Sequence, residues 1–189
     1  MCVNKIKAMK IYLITAEKIF KSKLGSIVDK NSRFFSFFIY NEGREFYFQN
    51  TMPTVNFNEI TLRQLSSSDY LPINIGVPIF SERAADLIHK ECPSVANYAC
   101  VVNCKDGCTI FYAAKINDSA FIINKEKSEF RNLTDGTEVL SKPSFFHDVE
   151  DDFFLARDIE NRHIWCASEK FVKLCKSANL KIDFVEMNS

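Results

Sequence analysis

The sequence YACVVNCKDGCTIFYAAKI, at residues 98–116, decides the fold. Its two apolar runs, 98–103 and 109–116, flank the polar residues Lys105, Asp106 and Gly107. Asp-Gly between two runs rich in β-branched and aromatic residues is among the strongest sequence signals of a β-hairpin. The stretch therefore predicts two antiparallel strands joined by a tight turn.

A helix is predicted shortly before this hairpin. Ser81 is placed to cap its N-terminus, and Glu82 follows in the first turn, where the helix dipole favours an acid. The apolar stripe of this helix consists of Ala84, Ala85, Leu87 and Ile88. Cys92 precedes a proline and so avoids the helical backbone, which ends the helix there.

A second capped helix is predicted near the C-terminus, with Ser168 as its N-cap. Its apolar positions follow amphipathic helical spacing and are Phe171, Leu174, Cys175 and Ala178. Asn179 tolerates the left-handed conformation that commonly ends a helix. Residues 180–185 then alternate apolar and charged side chains, which predicts a final strand packed beside the helix.

The remaining segments are mostly strand-like. Strands are predicted at 10–15, 120–123, 153–156 and 163–167, a hairpin at 33–40 and 45–49 around the turn 41–44, and a loop-rich segment at 124–144. Grouped strands with few helices predict an α+β fold, mostly antiparallel, in a single domain spanning 1–189. Met9 is an alternative start, which makes 1–8 a flexible tail.

The composition is that of an ordinary globular protein, apart from 18 phenylalanines. Twenty-four basic residues balance twenty-four acidic ones, so no overall field favours a nucleic acid or an anionic membrane. The charges are nevertheless unevenly placed, with a basic excess in 1–33 and an acidic excess in 145–162. The basic N-terminus, with Tyr12 and Phe20, leaves a nucleic-acid-binding module as one alternative function.

The N-terminal residues lack the uninterrupted apolar core of a signal peptide, because Lys10, Glu17 and Lys18 interrupt it. No stretch approaches the roughly 20 apolar residues of a membrane span. Seven cysteines, an odd number, fit reduced thiols better than a disulfide framework. We therefore expect a cytoplasmic protein with no membrane attachment.

Cys92, Cys100, Cys104 and Cys108 form the most suggestive metal-ligand pattern in the chain. Structural zinc sites use closely spaced cysteines, so the spacing alone permits one. The predicted hairpin argues against it, because Cys100 lies within an apolar strand while Cys104 and Cys108 flank the turn. We favour buried or turn-flanking thiols that bind no metal, and we expect no cofactor.

The second alternative function is a small enzyme that depends on cysteine and histidine. Such catalysis needs a thiolate beside an imidazole and an orienting group. His163 and Cys166 are three apart in a predicted strand, so they face opposite sides. His89 falls on the polar side of the first predicted helix, and His147 is merely next to Asp148 in sequence. Neither arrangement predicts a catalytic pair, and we expect no enzymatic activity.

Two stretches carry a resemblance to a protein family. Residues 78–83 lead into the first predicted helix, and an apolar segment further on ends at 124–128. The closing strand, turn, capped helix and strand, at 153–157, 164–171 and 179–184, match better. Over roughly 78–187 the chain resembles an immunity protein family of bacterial polymorphic toxin systems. It departs from the family at Asn179, Leu180 and Lys181, where a glycine is usual, and at Asn124, where aspartate is frequent.

The resemblance implies a non-catalytic protein that binds and neutralises a cognate toxin encoded nearby, often a nuclease. It supplies no catalytic residue. Against a basic nuclease, an acidic surface accelerates association and occupies the groove that phosphates would fill. The best candidates for partner contact are Asp148, Glu150, Asp151 and Asp152, which we call the acidic quartet.

Overall fold

The predicted hairpin is the longest strand pair of the molecule. The computed structural model describes residues 9–16, 20–21, 23–27, 32–149 and 152–187. Strands β6 (Val95–Cys104) and β7 (Gly107–Ile116) pair antiparallel from Val95 opposite Ile116 to Cys104 opposite Gly107. The turn predicted at Lys105 and Asp106 is thus confirmed, and the strands are longer than expected.

This hairpin forms the middle of a six-stranded sheet with the order β2-β3-β6-β7-β5-β4. The other strands are β2 (Ser26–Ile27), β3 (Thr54–Phe57), β4 (Tyr70–Leu71) and β5 (Ile79–Phe80). All neighbours are antiparallel except β3 and β6. The sheet is therefore mostly antiparallel, as the sequence predicted.

A second sheet has the order β11-β1-β13-β12-β8, and β14 also pairs with β1. Its strands are β1 (Met9–Thr15), β8 (Ser119–Ala120), β11 (Asp148–Val149), β12 (Leu155–Asp158), β13 (Trp165–Ser168) and β14 (Asp183–Glu186). Only β8 and β12 run parallel. Together with the helices below, the two sheets make this an α+β fold, as predicted.

Two short helices stand where the sequence predicted a hairpin, so that prediction is wrong. They are α1 (Arg33–Tyr40) and α2 (Glu45–Asn50). In α1 the buried Phe34, Phe37 and Phe38 recur at helical spacing and lie against the aromatic core. An uninterrupted aromatic run fits both a strand and a buried helix, and here packing selected the helix.

The two capped helices are confirmed. A one-turn helix, α3 (Leu62–Leu65), is followed by α4 (Glu82–Glu91) and α5 (Glu169–Ser177). Ser81 Oγ accepts a hydrogen bond from the Ala84 N–H, and Ser168 Oγ accepts one from the Phe171 N–H, each at 3.3 Å. Asn179 has φ of 52°, the left-handed conformation expected after α5.

The segment predicted as loop-rich, 124–144, contains a hairpin that forms a separate two-stranded sheet, and that prediction is also wrong. Strands β9 (Glu129–Asn132) and β10 (Glu138–Lys142) pair only with each other. The sequence did not predict these strands because their residues are mostly polar. Both faces of β9 are exposed, so its sequence lacks the alternation of apolar and polar residues that indicates a strand. The strand predicted at 120–123 is shorter than expected, although Ile123 makes an isolated bridge to Phe145.

Asp69 connects the first half of the chain to the C-terminal segment. Its Oδ1 accepts a hydrogen bond from Ser81 Oγ, and its Oδ2 accepts from Arg83 Nη2 and from the Lys181 N–H, all at 2.6 Å. Burial tends to raise the pKa of this carboxyl, but the hydrogen bonds from Arg83, Ser81 and Lys181 outweigh it, so the pKa lies below its usual range.

Because the pKa of Asp69 is lowered in the folded protein, its ionised form stabilises the fold above about pH 4. We expect Asp69→Asn to lower the free energy of unfolding by about 2 kcal/mol at pH 7. This difference should shrink as the pH falls through the lowered pKa, as urea denaturation at several pH values would show. Asp86→Asn, at an exposed position of α4, is the control. An undiminished deficit at low pH would contradict the assigned role.

No helix in the described part of the chain is both long and apolar enough to cross a membrane. The proposed flexible tail at 1–8 lies outside the described residues.

Candidate partner-binding surface

Only part of the acidic quartet lies within the described residues. The backbone of Asp148 pairs with Lys10 in the β1–β11 ladder. Asp152 is exposed and forms an ion pair with Lys170 of α5. Glu150 and Asp151 lie outside the described residues. The interface predicted for the quartet therefore stays a prediction.

The cysteines of the suggested metal pattern do not face a common site. Cys104 is opposite Gly107 and Cys108 is opposite Asn103, so these two side chains point to opposite faces of the hairpin. Cys92 and Cys100 are buried, and burial raises the pKa of each thiol to about 12. Within the described residues, no group of three or more metal-ligating side chains is close enough to hold an ion.

The three histidines are all exposed. His147 Nδ1 is 3.3 Å from the carbonyl oxygen of Met187. The nearest cysteine in sequence to His163 is Cys166, which is buried in β13 and whose pKa is raised by burial and by the charge of Asp158. A buried, protonated thiol is a poor nucleophile.

Three exposed phenylalanine side chains line depressions of the surface. Phe121 is 61% exposed, and Phe130 and Phe146 are each 38% exposed. Large apolar residues exposed together, as opposed to singly, are characteristic of protein interaction sites. We call Phe121, Phe130 and Phe146 the aromatic face.

Two extended backbone segments hold Phe121 and Phe146 beside the same depression. The Phe146 N–H donates to the Ile122 carbonyl at 2.9 Å, and the Asn124 N–H donates to the Ser144 carbonyl at 2.9 Å. The depression that they line has a volume of about 540 Å³. The backbone pairing fixes both aromatic positions before any partner arrives.

Asp158 organises the opposite side of that depression. Its Oδ2 accepts hydrogen bonds from the N–H groups of Ile122 and Ile123, both at 3.1 Å. Its Oδ1 accepts from the Asn161 N–H at 2.7 Å. The carboxylate therefore joins the loop after β12 to the segment that carries Phe121, and all of these donors are backbone groups.

An ion pair between Lys125 and Glu160 crosses the surface beyond Phe121. Both residues also line a second depression, of about 580 Å³, whose far wall is Phe130 and Leu140 of the β9–β10 hairpin. Phe130 and Leu140 are opposite each other in that hairpin. The two depressions therefore adjoin at this ion pair.

A third depression, of about 250 Å³, adjoins the second at His163. Tyr70, Phe145 and Trp165 contribute its aromatic wall. The ring centroids of Tyr70 and Trp165 are 6.2 Å apart. Each depression therefore shares lining residues with the next, and we call the three together the groove.

Sequence reasoning did not identify this surface. Phe121 lies in the strand predicted at 120–123, where an aromatic side chain is expected to be buried in the core. In the structure Ala120 and Ile122 are fully buried while Phe121 between them faces solvent, but the sequence carries no signal of this because all three residues are apolar. Phe130 lies in the segment predicted as loop-rich, 124–144.

No protein-family model matches the chain, and no curated protein is significantly similar to it in sequence.

Proposed function

We propose that this chain is a non-catalytic immunity protein that binds and neutralises a bacterial toxin encoded beside it. The observation that carries the proposal is the aromatic face, Phe121, Phe130 and Phe146, held outward on a rigid framework. Aromatic residues are enriched at protein interfaces and dominate their binding energy. The resemblance over 78–187 supplies the class of partner.

The framework of the aromatic face favours binding without rearrangement. Asp158 and the Lys125–Glu160 ion pair fix the loops around it, and backbone hydrogen bonds fix Phe146. A surface that is ordered before contact loses little conformational entropy on binding. An inhibitor that must outcompete a substrate gains affinity from such preorganisation.

The acidic quartet complements this surface in the proposal. It begins two residues after Phe146, so it continues from the aromatic face along the chain. Carboxylates at the rim accelerate association with a basic partner, and a nuclease is basic around its phosphate-binding groove. We place the protein in the cytoplasm, where a toxin that acts on nucleic acid must be stopped.

The test is a binding measurement with the purified product of the neighbouring toxin gene. We expect a one-to-one complex, and we expect Phe121→Ser combined with Phe146→Ser to weaken it at least tenfold, because each serine removes an aromatic contact. Isothermal titration calorimetry measures the affinity. The matched control is Ile110→Ser combined with Val185→Ser, two exposed apolar positions that do not line the groove.

Two results would overturn the proposal. The first is the absence of any complex, together with no protection of cells that express the toxin. The second is a complex in which the control pair weakens binding as much as the Phe121 and Phe146 pair, which would remove the observation on which the proposal depends.

A further inference from the structure

We infer that the groove binds an extended, basic segment of a protein partner, with apolar side chains of that segment seated in its depressions. Naming that partner as the toxin rests on the function proposed above. The inference states that the bound segment is extended, basic and partly apolar, which the resemblance does not imply.

The shape of the groove favours an extended chain. Lys125, Glu160 and Asn161 line both the first and the second depression, and His163 lines both the second and the third. Each depression has apolar walls, with Phe121 in the first, Phe130 in the second and Trp165 in the third. Apolar pockets that adjoin one another in this way suit alternate side chains of an extended peptide, since these point the same way.

The charge of the groove favours a basic occupant. Its lining contains four carboxylates and one cationic side chain, Lys125. Glu160 is paired with Lys125, and Asp158 is engaged by backbone N–H groups. Glu126 and Glu138 line the first and second depressions and form no ion pair with another described residue.

These two uncompensated carboxylates disfavour a nucleic acid as the occupant. A phosphate backbone placed over Glu126 and Glu138 would meet like charges, whereas a lysine or arginine side chain would find a partner in each. Pairs at this partly exposed rim contribute more to specificity and association rate than to affinity. The apolar depressions supply the remainder of the binding energy.

The single tryptophan of the chain is a built-in reporter, because Trp165 lines the third depression. The probe is a synthetic heptapeptide in which lysines alternate with phenylalanine and leucine, blocked at both ends. We expect it to change the fluorescence of Trp165 saturably, with a dissociation constant in the range of about 10–100 µM, or about 5–7 kcal/mol. The same peptide with glutamate in place of lysine should not bind.

The matched variants separate the groove from a general electrostatic effect. Glu126→Lys combined with Glu138→Lys should weaken binding of the basic peptide at least tenfold. Glu42→Lys combined with Glu91→Lys changes the net charge equally at exposed positions outside the groove and should weaken it less than threefold. Circular dichroism and thermal melting establish that all variants remain folded.

The inference is overturned if Trp165 reports no saturable binding up to about 1 mM peptide, or if both charge-reversal pairs weaken binding equally. It is also overturned if a toxin complex forms and is unaffected by the Glu126 and Glu138 changes, in which case the proposed function stands. If the peptide binds as expected but the neighbouring gene product does not, the groove inference holds and the proposed function fails.

Discussion

Phe38→Ala should lower the free energy of unfolding by about 4 kcal/mol, among the largest effects of any single substitution in the chain. The Phe38 side chain is fully buried, so its loss creates a cavity that the surrounding aromatic residues fill only in part. Alanine favours the helical conformation more than phenylalanine does, so the loss comes from packing and not from the backbone of α1.

Phe38 is the centre of an aromatic cluster that joins α1, α2 and β6. Its ring centroid is 4.3 Å from that of Phe34, 5.1 Å from that of Phe37, 5.2 Å from that of Phe48 and 5.5 Å from that of Tyr98. Aromatic pairs in such tilted and edge-on arrangements contribute about 0.5–1.5 kcal/mol each beyond the area they bury. The cluster therefore anchors two helices to the central hairpin.

Urea denaturation monitored by circular dichroism measures this loss, and Phe121→Ala is the matched control. The same chemical change at a side chain that is 61% exposed should alter stability by less than about 0.5 kcal/mol. A loss below about 1 kcal/mol for Phe38→Ala would show that the cluster does not hold α1 in place.

The same cluster explains why the sequence predicted a hairpin where α1 and α2 form. Turn chemistry and capping are local, so Asp106-Gly107, Ser81 and Ser168 were sufficient to place a hairpin and two helix starts. The run from Phe34 to Phe38 has no polar residue except Ser36, and its periodicity carries little information. Whether it forms a strand or a helix depends on packing against Phe48 in the next helix and against Tyr98, which lies far along the chain.

The candidate surface was hidden for a related reason. Phe121 and Phe146 lie on separate segments and line the same depression, and Phe130 lines the depression that adjoins it. Acidic residues, by contrast, are conspicuous when they are adjacent in sequence, which is why the acidic quartet was predicted first. A cluster along the chain is readable from sequence, whereas a cluster in space requires the fold.

Arg157 shows how one buried residue supports the groove from below. Its side chain is fully buried, and Nη1 donates to the carbonyl oxygens of Gly76 at 3.1 Å and Arg162 at 2.7 Å. Burial, together with the nearby charge of Arg162, lowers the pKa of the guanidinium to about 10. Its Nε and Nη2 have no hydrogen-bond partner in the described part of the chain. The two hydrogen bonds of Arg157 connect the backbone at Gly76 to the backbone at Arg162, beside His163.

Gly76→Ala should therefore disturb both the stability and the groove. Gly76 has φ of +65°, which an L side chain adopts at a cost of about 1 kcal/mol. A Cβ at this position would lie 2.3 Å from the carbonyl oxygen of His163, so the backbone of His163 must move. We expect a loss of about 2–4 kcal/mol in the free energy of unfolding. Displacement of His163 should also shift the fluorescence of Trp165.

Gly136→Ala distinguishes the cost of a positive φ from the cost of a steric clash. Gly136 has φ of +84°, but nothing lies within 4 Å of a Cβ built there, so only the conformational cost of about 1 kcal/mol applies. Urea denaturation and the emission spectrum of Trp165 compare the two variants directly. If both variants lose the same free energy of unfolding, the backbone at His163 moves at little cost. The wall between the second and third depressions would then not be rigid. A larger loss and a spectral shift confined to Gly76→Ala would establish that the close approach of Gly76 to His163 sets the shape of the groove.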